Sequence, residues 1–478
     1  MKLFKTIKHK PLFRGWEWFK TSHIRFVPAL FVLGHLLVGC SDFVEVDPPR
    51  NTLISETVFD DASTVESAMA NLYFEMREQG MVSGSFGLTP ALGIYADELD
   101  YYGTNADYSQ LYRHNVLAGN GLIMGWWRQA YYLIYSSNDI IKGVESSGNL
   151  TDAEKSWFKG QALFVRAYIH SLLVAQFGDI PYIVTTDYME NNKVSRSPED
   201  EVYDHIITDL LEARDLLKDR EPASGQRVLP DIHTVNALLA RMYLYTENWE
   251  MAASSATSLI EIFPLEEDFD QVFLKDSSET IWQLRADEDN PRNTKEAAQL
   301  IIQGIPGQTY ALTQDLLNAF EAGDLRFERW VGSISDAENT ITLHYAFKYK
   351  ADLNETESKE YSILFRVGEQ YLIRAEARAQ MGNINGAAAD LNRIRNRAGL
   401  SNTAASTESE LLDAIVRERR IELFTEQGHR WMDLVRTGRA DEVLGALKSN
   451  WRATDVLLPL PEAELEINPN LLPQNEGY

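Results

Sequence analysis

Residues 96–105 read ADELDYYGTN and place two aromatic rings among carboxylates and an amide. That mixture suits recognition of a sugar: a flat ring stacks on a pyranose face, and side-chain oxygens and nitrogens bond its hydroxyls. The stretch has no helical or strand period, so it reads as a loop, where binding residues concentrate. Tyr101 and Tyr102 are the candidate stacking platforms, with Asp97, Asp100 and Asn105 as polar partners. Trp282 and Trp330 are second candidates from a later irregular region. Trp282 alternates with Ile281 and Leu284, so core and ligand contact both remain open for it.

Catalytic constellations give no comparable signal. The chain has no H-E-x-x-H, G-x-S-x-G or G-x-x-x-x-G-K-[ST]. Beyond residue 39 the histidines are His114, His170, His205, His233, His344 and His429, none three or four positions from another, so no metal cluster has local support. With 71 Asp and Glu, some carboxylate pair always looks fit for a glycosidase, and the pattern carries no information. Asp287, Glu288 and Asp289 could hold Ca²⁺ through oxygen ligands, but a solvated acidic loop is the better explanation of them. The expectation is no catalytic residue, no resident metal and no cofactor.

The net charge of −26 disfavours nucleic acid, whose phosphates such a body repels. The first 39 residues break the trend with seven Lys or Arg and one acid. A basic run is followed by an apolar segment, 26–39, too short to span a bilayer comfortably and suited to a signal peptide. It ends in Leu37-Val38-Gly39-Cys40, which resembles a bacterial lipobox. Cys40 is the only cysteine, so it has no internal disulfide partner, and an acyl anchor is its simplest use. The acidic, proline-bearing residues after it read as an extended tether. The expected organisation is a signal peptide over 1–39, lipidated Cys40 with its tether over 40–55, and a single domain over 56–478.

The elements that must position the loops are helical. Over 361–439, Ala375, Ala377 and Ala379 permit close helix approach, Gly382-Asn383 makes a turn, and Ala387, Leu391 and Ile394 recur at helical steps. The tetratricopeptide ruler fits there and again over 233–264, with Ala240, Tyr243, Ala252 and Pro264 in the expected places. On the next helix Leu411, Leu412, Ile415, Val416 and Leu423 form an apolar stripe, and Arg417, Glu418, Arg419, Arg420 and Glu422 read as a solvated charged face. The alternative is that some of these arginines are buried and fix how helices dock. Trp126 and Trp127 begin a further helix and read as packing. Ser197-Pro198-Glu199-Asp200 is a helix start with Ser as the cap. Loop-rich insertions occupy about 80–115 and 265–360; the second carries short strands near 280–285 and 340–350.

Several separated motifs, in order, resemble the SusD-like (RagB/SusD) outer-membrane nutrient-binding lipoproteins. They are QALFVRAY with FGDIP, RSPEDEVYDHII, AFEAGDLR, GNINGAAADLNRIRNRAGL, ELLDAIVRERRIELFTEQGHRWMDLVRTGR, and LLPLPEAELEINPNLLPQNEGY at the end. The resemblance implies a mainly α SusD-like fold, built on tetratricopeptide-like helix pairs with a loop-rich insertion carrying short β-strands. It implies oligosaccharide binding in the two variable regions, a TonB-dependent SusC-like transporter as partner, and attachment to the outer membrane through lipid. In that family acidic residues after the acylated Cys accompany export to the cell surface. A lipid-anchored glycan hydrolase and a helical-repeat adaptor for a protein or peptide are the rival classes.

Overall fold

A computed structural model describes residues 58–219, 225–287 and 292–478. The signal segment, Cys40, the 40–55 tether, and Glu288 and Asp289 of the acidic run lie outside the described residues.

The body is mainly helical, as the helix-pair reading predicts. Helices α1 (Ala62–Glu78), α2 (Leu88–Tyr95) and α3 (Ala106–Tyr112) come first. Then follow α4 (Gly121–Ser146), α5 (Asp152–Phe177), α6 (Glu199–Leu217), α7 (Ile232–Tyr245), α8 (Trp249–Ile260), α9 (Val367–Gln380), α10 (Ile384–Arg397), α11 (Glu408–Glu422) and α12 (His429–Arg436). From α4 to α11 each helix packs on the next in chain order. This stack is the scaffold, and the segment between α8 and α9 is the large insertion.

Local chemistry explains the joints. Thr151 and Glu154 close a capping box on α5, and Asp231 caps α7. Between α9 and α10, Gly382 takes φ +75°, and the Asn383 side chain accepts from the Gly386 N–H at 3.0 Å. Ala375, Ala377 and Ala379 have no exposed surface, so α9 can be packed on several sides. Trp126 and Trp127 are buried on α4. The start of α6 differs from expectation: Ser197 does not cap it, and the Glu199 N–H donates to Asp179 Oδ1 at 3.0 Å.

Three two-stranded antiparallel sheets accompany the helices. They pair β1 (Leu99–Tyr101) with β3 (Tyr310–Leu312), β2 (Thr280–Leu284) with β6 (Ser362–Arg366), and β4 (Val331–Ser335) with β5 (Thr342–Ala346). β2 and β5 fall where alternation places strands. β1 lies within residues 96–105, where the sequence reads as loop; a three-residue strand is too short to show a period, and it forms only because β3 supplies a distant edge.

The charged helix α11 is the main departure. Its charges are not a solvated face: Glu418, Arg419 and Glu422 are buried, Arg420 is half-buried and Arg417 is exposed. Glu422 accepts from Arg366 at 2.6 Å, from Arg326 at 3.0 Å and from Arg397. Arg366 also bonds Glu279 at 3.0 Å and Glu426 at 2.8 Å, and Lys348 donates to Glu426 at 2.5 Å. Glu279, Arg326, Lys348 and Arg366 all lie between α8 and α9, so the network fastens the insertion to the stack. Several partners per ion make such burial tolerable. Burial opposes ionisation of Glu422, but the three guanidinium charges outweigh it and hold its carboxyl well below the usual range.

Candidate functional site: a tyrosine cluster beside a cleft

β1 and β3 bring Tyr101 opposite Tyr310, with ring centres 5.7 Å apart. The Tyr102 N–H donates to Thr309 O at 2.9 Å and continues the ladder. On α3, Tyr108 stacks on Tyr101 at 5.9 Å and 25°, and Tyr112 stands 6.4 Å from it. Asn105 starts α3: its Oδ1 accepts from the Asp107 and Tyr108 N–H groups at 2.9 and 3.2 Å. Its own N–H donates to the Tyr101 hydroxyl at 3.0 Å. Gly103 passes under the same ring, where a Cβ would lie 2.5 Å from the Tyr101 hydroxyl, so a side chain there would have to displace the ring.

Tyr101 is therefore half-buried and braced on several sides, whereas Tyr102 is 45% exposed. Burial pushes the Tyr108 and Tyr112 hydroxyls up to about 12, the latter helped by Asp100. They stay protonated at neutral pH; Tyr108 donates to Ser85 O at 3.0 Å and Tyr112 to Asp100 Oδ1 at 2.9 Å. Lys448 lies 4.6 Å above the Tyr112 ring.

Asn105 and Tyr108 also line a cleft of about 520 Å³, with Phe86, Asp107, Arg128 and Gln129. Exposed Phe86 offers an aromatic edge, and the others offer amide, carboxylate and guanidinium groups. A larger cleft of about 560 Å³, lined mainly by Met69, Tyr73, Phe74, Trp157, Phe158 and Leu229, holds none of the expected residues. Among the described residues no group of three or more His, Cys, Asp or Glu is placed to hold a metal ion.

Three expected contact residues are inside the body. Asp97 is 2% exposed; its carboxylate accepts from Arg430 twice at 2.7 Å and forms an ion pair with Arg420 at 2.8 Å. Burial raises its pKa, but the two arginines outweigh it and the net shift is downward. Trp282 has no exposed surface and meets Phe164 edge-on at 5.1 Å. Trp330 has none either; its indole donates to Phe269 O at 3.2 Å, and Lys348 sits 4.8 Å from its ring. These rings pack the core and have no face for a ligand. Asn105 and Tyr101 do come together, and exposed Tyr102 follows Tyr101 in the chain but does not line the cleft. Sequence reasoning missed Tyr108, Tyr112 and Tyr310; Tyr108 and Tyr112 are four apart, a helical spacing hidden inside an apparent loop.

A family model described as "Starch-binding associating with outer membrane" matches residues 42–244, and a SusD family model matches residues 332–478. The chain belongs to the SusD-like family. "SusD-like protein P2" of Formosa agariphila is 29% identical over 92% of this chain and 97% of its own length. A SusD superfamily protein from Bacteroides vulgatus shares the fold with a TM-score of 0.76 at 21% identity, over 88% of this chain and all of that one. Surface glycan-binding protein A from Bacteroides thetaiotaomicron, solved with laminarihexaose, gives 0.73 at 20% identity, over 86% of this chain and 99% of that one. In this SusD-like chain Tyr310 falls between the two matched segments, so the second strand of the tyrosine cluster comes from outside both.

Proposed function

We propose that this SusD-like protein is a cell-surface lipoprotein that captures oligosaccharides or polysaccharide fragments and delivers them to a TonB-dependent SusC-like transporter. Acylated Cys40 holds it at the outer membrane, and it acts by binding, without hydrolysis. The observation that carries the reading is the tyrosine cluster joined to the 520 Å³ cleft through Asn105, which bonds Tyr101 and lines that cleft, with exposed Tyr102 next to Tyr101 in the chain, on a fold shared with a protein solved with a bound oligosaccharide. Tyr102 provides a ring face; Asn105, Asp107, Arg128 and Gln129 provide the donors and acceptors that vicinal hydroxyls require. Tyr101 braces the neighbouring strand and is not the open face.

The purified mature protein, incubated with a panel of glycans, should retain at least one without releasing new reducing ends. Release of reducing ends would favour the hydrolase. Palmitate labelling should be lost in Cys40→Ala, and a transporter should co-purify from solubilised outer membranes; a lipid-free protein that brings down only soluble partners would favour the adaptor.

A further inference from the structure

A separate cleft of about 310 Å³ opens on the adjoining face of α4. Helical spacing sets the relation between the two. Leu122, Gly125, Trp126 and Gln129 recur at steps of three and four and line the cleft beside the tyrosines. Arg128, Tyr131 and Tyr135 recur the same way one stripe round and line the other. Arg128 belongs to both linings. Gly125 and Tyr135 are ten residues apart, about 15 Å along the axis. The clefts are thus consecutive along one helix.

Its chemistry resembles that of the tyrosine site. Tyr135 is 47% exposed, and Tyr188, three residues from lining Asn191, is 71% exposed. The Tyr131 hydroxyl donates to Pro181 O at 2.9 Å and fixes that ring in the wall. Arg128 Nε lies 3.3 Å from Glu464 Oε1, which sets a planar donor next to an acceptor in the lining. Asn191 donates through Nδ2 to Thr185 O at 2.9 Å, and its Oδ1 accepts from nothing among the described residues. Ring faces, the lining carboxamides of Asn191, Asn192 and Asn468, and a guanidinium–carboxylate pair together fit a polyhydroxylated ring better than an apolar peptide.

We propose that this cleft is a second glycan subsite, which takes the continuation of a chain whose first rings lie on Tyr102 and beside Asn105. The inference rests on the glycan reading above and adds to it that the ligand is an extended polymer, preferred over short fragments. The chain passes from one cleft to the other across Arg128.

The test uses the mature protein with Tyr135→Ala, with Asn192→Ala, which removes another lining carboxamide of this cleft, and with Tyr102→Ala. Each is measured by calorimetry against a panel that includes laminarin and starch, and against trisaccharides cut from each polymer. Tyr135→Ala should weaken the polymer roughly two- to tenfold and leave the trisaccharide unchanged. Tyr102→Ala should weaken both. Asn192→Ala, which removes no ring, should follow Tyr135→Ala in direction, and melting temperatures should stay level. Polymer affinity that is untouched by Tyr135→Ala and Asn192→Ala but lost in Tyr102→Ala overturns the second subsite and leaves the glycan reading standing. Loss of transporter co-purification in Tyr135→Ala with normal polymer binding also overturns it, making the face a protein contact. If no member of the panel binds the unaltered protein, the glycan reading fails and this inference with it.

Discussion

Asp97 and Arg430 stand 333 positions apart and meet through two parallel hydrogen bonds of 2.7 Å. The same carboxylate takes Arg420 of α11 at 2.8 Å, and Asp97 O accepts from the Thr313 hydroxyl at 2.7 Å. Asp97 thus ties the strand under the tyrosines to α11, α12 and the segment after β3. Asp97→Ala leaves the Arg430 guanidinium without its partner in a buried place, while Arg420 keeps Asp315 at 2.6 Å. Breaking a buried pair this way costs about 3–5 kcal/mol. Calorimetry should show a large fall in melting temperature; a variant as stable as the parent with impaired ligand binding would return Asp97 to the contact residues.

Tyr102 and its neighbour Tyr101 should separate under substitution. Tyr102 is nearly half exposed, so Tyr102→Ala should keep the melting temperature and weaken glycan binding by roughly 0.5–1.5 kcal/mol, or about two- to tenfold. Tyr101→Ala removes the ring that Tyr108, Tyr112 and Tyr310 surround and the acceptor for the Asn105 N–H, so it should also lower the melting temperature. Equal effects of the two on stability would contradict the assignment of face and brace.

The helix pairs were legible because their evidence is local. Ala240, Ala252, Ala375 and Ala387 sit at the close approaches that their spacing implies, each without exposed surface. The fate of the charges on α11 was not legible. A buried arginine and an exposed one have the same local pattern, and what distinguishes Arg419 from Arg417 is Asp433, an acceptor on another helix. The site was half legible for the same reason. Tyr101, Tyr102 and Asn105 are neighbours in sequence, whereas Tyr310 arrives through a strand pairing across more than two hundred residues. Trp282 and Trp330 misled because a large aromatic in an irregular stretch has the same signature in core and at surface; burial decides, and burial is set by the whole fold.

Acid should unfold the protein partly through Glu369. Arg241 donates to both of its oxygens at 2.8 Å. Burial pushes its pKa up, but the Arg241 charge outweighs this, with His429 and Arg419 assisting, and it is held down to about 2. A carboxyl depressed in the folded state stabilises fully above its unfolded value, about 4.5, and that stability fades as pH falls toward 2. The decline of the parent begins earlier, near 6.5, because burial holds His170 and His429 down to about 3 and about 4. Glu369→Gln isolates the carboxylate: a lower melting temperature at pH 7, and a gap to the parent that narrows between pH 4.5 and 2. A gap of constant size would show that the ionised pair contributes nothing.

Glu98 should act in the opposite direction. It precedes β1, both its oxygens lie 3.3 Å from the Thr425 N–H, and its own carbonyl accepts from the Thr313 N–H at 3.0 Å. Burial first and the neighbouring Asp97 charge second push its carboxyl up to about 8, against the weaker pull of Thr425, Arg430 and Lys348. A carboxyl raised in the folded state gives stability that is fully present below its unfolded value, about 4.5, and is lost as pH rises toward 8. Glu98→Gln keeps shape and an acceptor for Thr425 but has no proton to lose. Its melting temperature should equal the parent's near pH 4 and exceed it by several degrees at pH 8, as read by a melting series in matched buffers. A variant that follows the parent at every pH would mean that Glu98 is already ionised in the fold, and that the Arg430 and Lys348 charges dominate its surroundings.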